Sequence, residues 1–190
     1  MGTHGFCRTF CKEFIGKNGV GALIPMTPAM PIRFAILTAS DRSARGERPD
    51  ESGPALAELV KSHGWTVMHQ EILPDDETAI KEWLIQWSDG DRIDVLLVTG
   101  GTGFAPRDVT PEATLAVVQR RTPGLDEAMR TASMEKTPHA MLSRSVSGIR
   151  GKTLIVTLPG SPRGATENLE VIIPALEHAV KLLREEQTSH

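Results

Sequence analysis

Apolar residues follow two rhythms along this chain. The first is the short unbroken run: RFAILTA at 33–39 and IDVLLV at 93–98 each end in polar or glycine residues. Runs of that length predict strands buried on both faces, with loops at their carboxyl ends. WTVMHQEIL at 65–73 reads as a further strand, and 143–157 as a hairpin turning at Gly151-Lys152, whose last strand TLIVTL runs into Pro159-Gly160-Ser161-Pro162.

The second rhythm is helical. Leu56, Leu59, Val60 and His63 follow Ser52-Gly53-Pro54, with the proline suited to a first turn. Ile80, Trp83, Leu84 and Trp87 form an i, i+3, i+4, i+7 set behind two candidate caps, Asp75 and Asp76. Thr110 is expected to cap a helix begun by Pro111 and Glu112, and a further helix passes through Leu125 and Met129. A closing helix over about 165–185 carries Leu169, Ile172, Ile173, Leu176, Val180 and Leu183 on one face, with Pro174 expected to kink or restart it. Strands alternating with helices predict an α/β, three-layer sandwich around a mostly parallel central sheet. Ligands of such sheets sit at the carboxyl ends of the strands, so the loops 40–51, 99–110 and 159–166 are the places to look.

At 190 residues the chain suffices for one core with tails, and the reading is a domain over 32–186, a flexible extension over 1–31 and a tail over 187–190. The net charge of -3 gives no excess of basic residues for nucleic acid or an anionic membrane, and no apolar stretch approaches the roughly 18 residues that span a bilayer. The expectation is an intracellular, cytoplasmic protein acting on small molecules. Cys7 and Cys11 both lie in the extension, so the domain does not depend on disulfides; as Cys-x3-Cys near His4 they lack a second ligand pair at zinc-finger spacing. The extension itself has Phe6, Phe10 and Phe14 four apart and a single acid, Glu13, which leaves a targeting segment, a loose tail, or a start at Met26 or Met30 all open.

The loop TGGTGFAPRDVTPEAT at 99–114 is where chemistry enters. A strand, a glycine turn and a helix start in succession aim backbone N–H groups at an anion, although the same succession also makes an ordinary tight corner. It is not a Walker loop, because no Lys-Ser or Lys-Thr ends it, and Gly-x-Gly-x-x-Gly fails because Ala105 and Pro106 stand where the last glycine belongs. Asp108 is the oddity. A carboxylate beside a phosphate-binding turn repels the ligand unless a cation such as Mg²⁺ lies between them; the alternative is a turn cap or a pair with Arg107. Asp75 is a second such carboxylate, since Asp76 can take over the helix cap.

These residues, with SDRSARGERPDESGPAL at 40–56, LPDDE at 73–77, TPGLDEAM at 122–129 and AMLSRSVSGIRGKTLIVTLPGSP at 140–162, resemble the MogA/MoaB family of molybdenum-cofactor synthesis, including the corresponding domains of gephyrin-type fusion proteins. The resemblance implies the molybdopterin-binding-domain fold and a molybdopterin adenylyltransferase. In that reaction the terminal phosphate of molybdopterin attacks the α-phosphorus of ATP, releases pyrophosphate and leaves molybdopterin-AMP. It also implies that Asp75 and Asp108 are catalytic and bind Mg²⁺, that Ser40, Asp41, Gly100, Gly101, Thr102 and Gly103 meet the nucleotide, and that Ser143, Ser145, Gly160 and Ser161 contact pterin or nucleotide. Ser161 stands where relatives often carry Asn or Gln. A homotrimer or hexamer, with handover of product to a molybdate-insertion enzyme, is implied as well. The alternative within the same fold is a non-catalytic molybdopterin-binding or scaffolding domain.

Overall fold

In the computed structural model, which describes residues 31–185, the unbroken apolar runs become the centre of a six-stranded sheet. The strands are β1 (Arg33–Ala39), β2 (Thr66–Leu73), β3 (Val95–Thr99), β4 (Arg120–Arg121), β5 (Ser147–Arg150) and β6 (Thr153–Leu158). The helices are α1 (Asp41–Ala44), α2 (Ser52–Ser62), α3 (Glu77–Ser88), α4 (Thr110–Val117), α5 (Pro123–Met134) and α6 (Pro162–Leu183), with a 3-10 turn at Pro138–Leu142. Spatial order is β2-β1-β3-β6-β5-β4; the first four strands run parallel, β5 pairs antiparallel with β6, and β4 pairs antiparallel with β5.

Burial explains the two rhythms. β3 and β6 are buried at every position because both faces of the sheet are covered. On one side Phe34, Ile36, Val95, Leu97 and Val156 pack against α2 and α6 through Leu56, Val60, Leu169, Ile172 and Leu176. On the other, Ala35, Leu37, Leu96, Val98 and Ile155 meet Ile80, Trp83 and Leu84 of α3 and Ala113 and Val117 of α4. β2 lies at the sheet's edge, and its residues alternate between half-buried and exposed.

The amino end of the sheet is tied by one carboxylate. Asp94, immediately before β3, accepts from Arg33 Nε and Nη2 at 3.0 Å each and from Arg184 Nη2 at 2.7 Å, joining the start of β1 to the end of α6. Burial pushes its pKa up, but the hydrogen bonds from Arg33 and Arg184 outweigh that and bring it from 3.8 to about 2.

Local expectations needed correction at three places. Thr110 does not cap α4: its N–H donates to the Gly101 carbonyl at 3.2 Å, which draws Thr110 in as the first helical residue, and Val109 at the cap offers no side-chain bond. α6 begins at Pro162, with the Ser161 hydroxyl accepting from Gly164 N at 3.2 Å, and it continues through Pro174 without restarting. The hairpin strand begins at Ser147 instead of Ser143. Readings placed on residues 1–30, Cys7 and Cys11 included, and on 187–190 lie outside the described residues.

Candidate active site

The chain leaves β1 for β2 on one side and later returns to lay β3 on the other, so the sheet's switch point lies between β1 and β3. The loops after β1, β3 and β6 meet there in near contact. A Cβ placed on Gly100 would lie 2.2 Å from the Ala39 carbonyl oxygen, and one on Gly160 would lie 3.2 Å from Gly100 Cα. Gly100 also has φ +101, so both its conformation and its surroundings exclude a side chain. Cross-bonds fix the approach: Thr99 Oγ1 donates to the Pro159 carbonyl at 2.6 Å, and Ser52 Oγ to the Gly160 carbonyl at 2.9 Å.

Asp75 faces this junction from the end of β2. Asp76 takes the α3 cap, accepting from Ala79 N at 2.8 Å, which leaves Asp75 for other work. Asp75 and Asp41 grip each other through their backbones: Asp41 N donates to Asp75 Oδ2 at 3.0 Å, and Asp75 N to Asp41 Oδ1 at 3.1 Å. The other Asp75 oxygen, Oδ1, would lie 3.1 Å from a Cβ on Gly101. Burial raises the pKa of Asp75; the Asp41 N–H works against this, while the charges of Asp41 and Asp108 add to it and Arg107 offsets them in part. Two carboxylates, Asp41 and Asp108, therefore repel a third.

One of the sequence readings of Asp108 is visible in the structure. Its Oδ2 accepts from Ala105 N at 2.8 Å, a local turn cap. The same oxygen would lie 2.9 Å from a Cβ on Gly103, so the carboxylate is held against the glycine turn. Among the described residues, no acceptor is found for the N–H groups of Gly101, Thr102 and Gly103. Unclaimed donors on successive residues of a turn form an anion-binding concavity.

Two clefts open from this turn and share Gly101, Asp108, Gly160 and Ser161. The first, about 330 Å³, is walled by Ser40, Ser52, Asp75, Gly100 and the cations Arg48 and Arg107. The second, about 470 Å³, is lined by Thr102, Gly103, Ser143 and Asn168, with Arg130, Lys136 and His139 as its basic groups. Thus Ser40, Asp75, Asp108, the turn 100–103, Ser143, Gly160 and Ser161 all reach a cleft wall. Asp41 acts on the site through its pair with Asp75, and Ser145 turns inward, buried, with its Oγ 2.9 Å from that of Ser143.

Sequence reading passed over Arg48 and Arg144 and took Arg107 only as a partner for Asp108. Arg107 had a visible signal, its place beside Asp108. Arg144 lies between Ser143 and Ser145, and its contacts cross more than thirty residues of chain: Nε donates to the Gly103 carbonyl at 2.7 Å, Nη2 to the Asp108 carbonyl, and Nη1 to the Glu112 carboxylate. Its backbone N–H donates to the Thr102 carbonyl at 2.9 Å.

Known proteins resemble this chain in sequence and in fold. A family described as a probable molybdopterin binding domain matches residues 35–178. The molybdopterin adenylyltransferase of Helicobacter pylori strain J99 is 42% identical over 154 residues, 80% of this chain and 88% of that protein. Gephyrin of Dictyostelium discoideum is 42% identical over 164 residues, and the match spans 81% of this chain but only 23% of gephyrin. Among solved structures, the molybdopterin biosynthesis enzyme MoaB of Thermus thermophilus superposes with a TM-score of 0.77 at 46% identity, over 83% of this chain and 99% of that one.

Proposed function

This chain belongs to the molybdopterin-binding domain family, and from that premise we propose that it is a molybdopterin adenylyltransferase, transferring AMP from ATP to the terminal phosphate of molybdopterin. The observation that carries the reading is the meeting of Asp75, Asp108 and the open N–H groups of the glycine turn where two clefts adjoin. One cleft would take the nucleotide and the other the pterin, with the reacting phosphates over the turn they share. A phosphate oxygen of molybdopterin attacks the α-phosphorus, the bond to the bridging oxygen breaks, and pyrophosphate leaves with the electron pair. Reactions of this kind need positioning and charge stabilisation more than a covalent nucleophile.

The chain's residues divide that work. Gly101, Thr102 and Gly103 direct N–H groups at phosphate oxygens; Arg48 and Arg107 stand on the wall of the smaller cleft, where they can offset charge on the departing pyrophosphate. The amino end of α6, at Gly160 and Ser161, adds the partial positive charge of a long helix.

Asp75 and Asp108 fit a divalent cation by their chemistry: both are hard oxygen donors, and burial with neighbouring negative charge disfavours an ionised Asp75 unless a cation relieves it. Among the described residues no group of three or more His, Cys, Asp or Glu is arranged to hold a metal alone, which suits Mg²⁺ that draws its remaining ligands from phosphate and water. Mg²⁺ would supply charge neutralisation for the polyphosphate, with Asp75 and Asp108 as its protein ligands.

The proposal extends to a cytoplasmic homotrimer, or a hexamer of paired trimers, that passes its product to a molybdate-insertion enzyme. Among the described residues no helix is long and apolar enough to cross a membrane. Light scattering on the purified protein tests the assembly. The deciding experiment for function is AMP transfer from radiolabelled ATP to molybdopterin with Mg²⁺ present. Formation of molybdopterin-AMP is the expected result; pterin binding with no transfer would leave a binding or scaffolding domain instead.

A further inference from the structure

A loop that places a carboxylate and several N–H donors around one phosphate must keep its shape while charge moves past it. The turn from Thr102 to Asp108 is short of internal support: Phe104, Ala105, Pro106 and Arg107 are exposed, and the main local bonds are the two between Asp108 and Ala105. What braces it comes from a distant part of the chain. Arg144 donates to the carbonyls of Gly103 and Asp108, the two ends of the exposed stretch, and its own N–H donates to the Thr102 carbonyl. Glu112, in the first turn of α4, holds the guanidinium from the far side.

We propose that Arg144 is the positioning residue of this site: its guanidinium spans the glycine turn and fixes where the Asp108 carboxylate stands, without itself touching substrate. The inference rests on the adenylyltransferase reading. Planarity is the reason for arginine here. The fork offers several N–H groups in fixed directions, enough for two carbonyls and a carboxylate together, whereas a lysine ammonium is a compact charge on a flexible stem. Bonding the two carbonyls to a cation also draws negative dipole away from the phosphate side of the turn.

A second link makes Arg144 a connection between the clefts. The segment that carries it is held by Arg130, whose Nη2 donates to the Ser143 carbonyl at 3.3 Å, and both Arg130 and Ser143 line the larger cleft. Asp108 is thereby held from the side where the proposed pterin would lie.

The test compares wild type, Arg144→Lys, Arg144→Ala and Asp108→Ala in AMP transfer, in Mn²⁺ binding followed by electron paramagnetic resonance with a non-hydrolysable ATP analogue, and in thermal melting. Displacing a reacting group by about an ångström costs on the order of 100-fold, and that loss is expected in kcat for Arg144→Ala. Arg144→Lys should recover only a small part of it. Free guanidinium ion should restore turnover to Arg144→Ala several-fold and do nothing for Asp108→Ala, and Mn²⁺ should bind Arg144→Ala more weakly than wild type while the protein remains folded. Wild-type kcat in Arg144→Ala, or a loss that guanidinium does not relieve with Mn²⁺ binding intact, would overturn the inference. Absence of transfer in wild type would instead overturn the adenylyltransferase reading. Mn²⁺ binding and its guanidinium response in Arg144→Ala would then decide the positioning role: weakened binding that guanidinium restores supports it, and unchanged binding overturns it.

Discussion

The two ends of the sheet hold carboxylates under opposite conditions. At the amino end Asp94 is buried with two arginines around it, and its pKa falls to about 2. At the carboxyl end Asp75 is half-buried with Asp41 and Asp108 for company, and its pKa rises. The first arrangement is complete within the protein and contributes to its stability. The second holds negative charge that the protein relieves only in part, through the Asp41 N–H and Arg107, and the proposed cation would relieve the rest. Burial by itself raises the pKa at both positions, so the nature of the neighbours decides the sign.

The largest effect that should sharpen this contrast is on catalysis. Asp108→Ala is expected to lower AMP transfer by about 10³-fold, comparable with removing a preorganised electrostatic group, while pterin binding measured by fluorescence stays close to wild type. Normal molybdopterin-AMP formation would remove Asp108 from the chemistry.

Next in size is the amino end. Asp94→Ala leaves Arg33 and Arg184 without their shared carboxylate, and breaking such a pair should cost about 3 kcal/mol, at the low end of the range because both arginine side chains keep some solvent contact. A chemical denaturation series checks this. Turnover in whatever remains folded should be unaffected, which would separate the two ends functionally.

Acid should reveal the same contact more gently. A group whose folded pKa lies below its unfolded value contributes its full stabilisation above the unfolded pKa and loses it as pH falls through the folded one. For Asp94 that window runs from 3.8 down to about 2. The loss there is about 2 kcal/mol, and an Asp94→Asn variant should lack this component of the acid unfolding curve.

The smallest effect has the opposite sign. With its folded pKa raised, Asp75 favours the folded state only while protonated, and that contribution is lost as pH rises through the folded value. Asp75→Asn should therefore be more stable than wild type at neutral pH, by about 0.5–1 kcal/mol in the absence of Mg²⁺, a small figure because solvent screens a half-buried group. The gain should vanish below the unfolded pKa near 3.8. Melting curves at neutral and acid pH check both halves. A loss of stability at neutral pH would mean that Asp75 is fully satisfied within the protein, and the contrast between the two ends would collapse.

Much of this was legible in the chain itself. Unbroken runs such as VLLV marked strands covered on both faces, and the i, i+3, i+4 spacing of Ile80, Trp83 and Leu84 marked a helix lying on the sheet. The redundancy of Asp75 and Asp76 correctly freed one carboxylate from capping, since a cap requires only one. Short elements escaped notice: α1 and β4 occupy four and two residues, too few for any periodicity to declare itself. Thr110 has the type and place of a cap, whereas the Gly101 carbonyl, nine residues earlier, draws it into the helix.

What the sequence by itself determined was therefore whatever rests on neighbours along the chain: the strand and helix rhythms, the glycine turn, and the presence of spare carboxylates at loop ends. The tertiary structure decided what those carboxylates meet. Asp75 and Asp94 are the same residue type, one half-buried and the other buried, and nothing adjacent to either in the chain distinguishes a paired charge from an unrelieved one. Arg184 reaches Asp94 across ninety residues and Asp41 reaches Asp75 across thirty-four. Electrostatic energy depends on distance in space and on the surrounding dielectric, and both come into existence only when the sheet closes and brings its loops together.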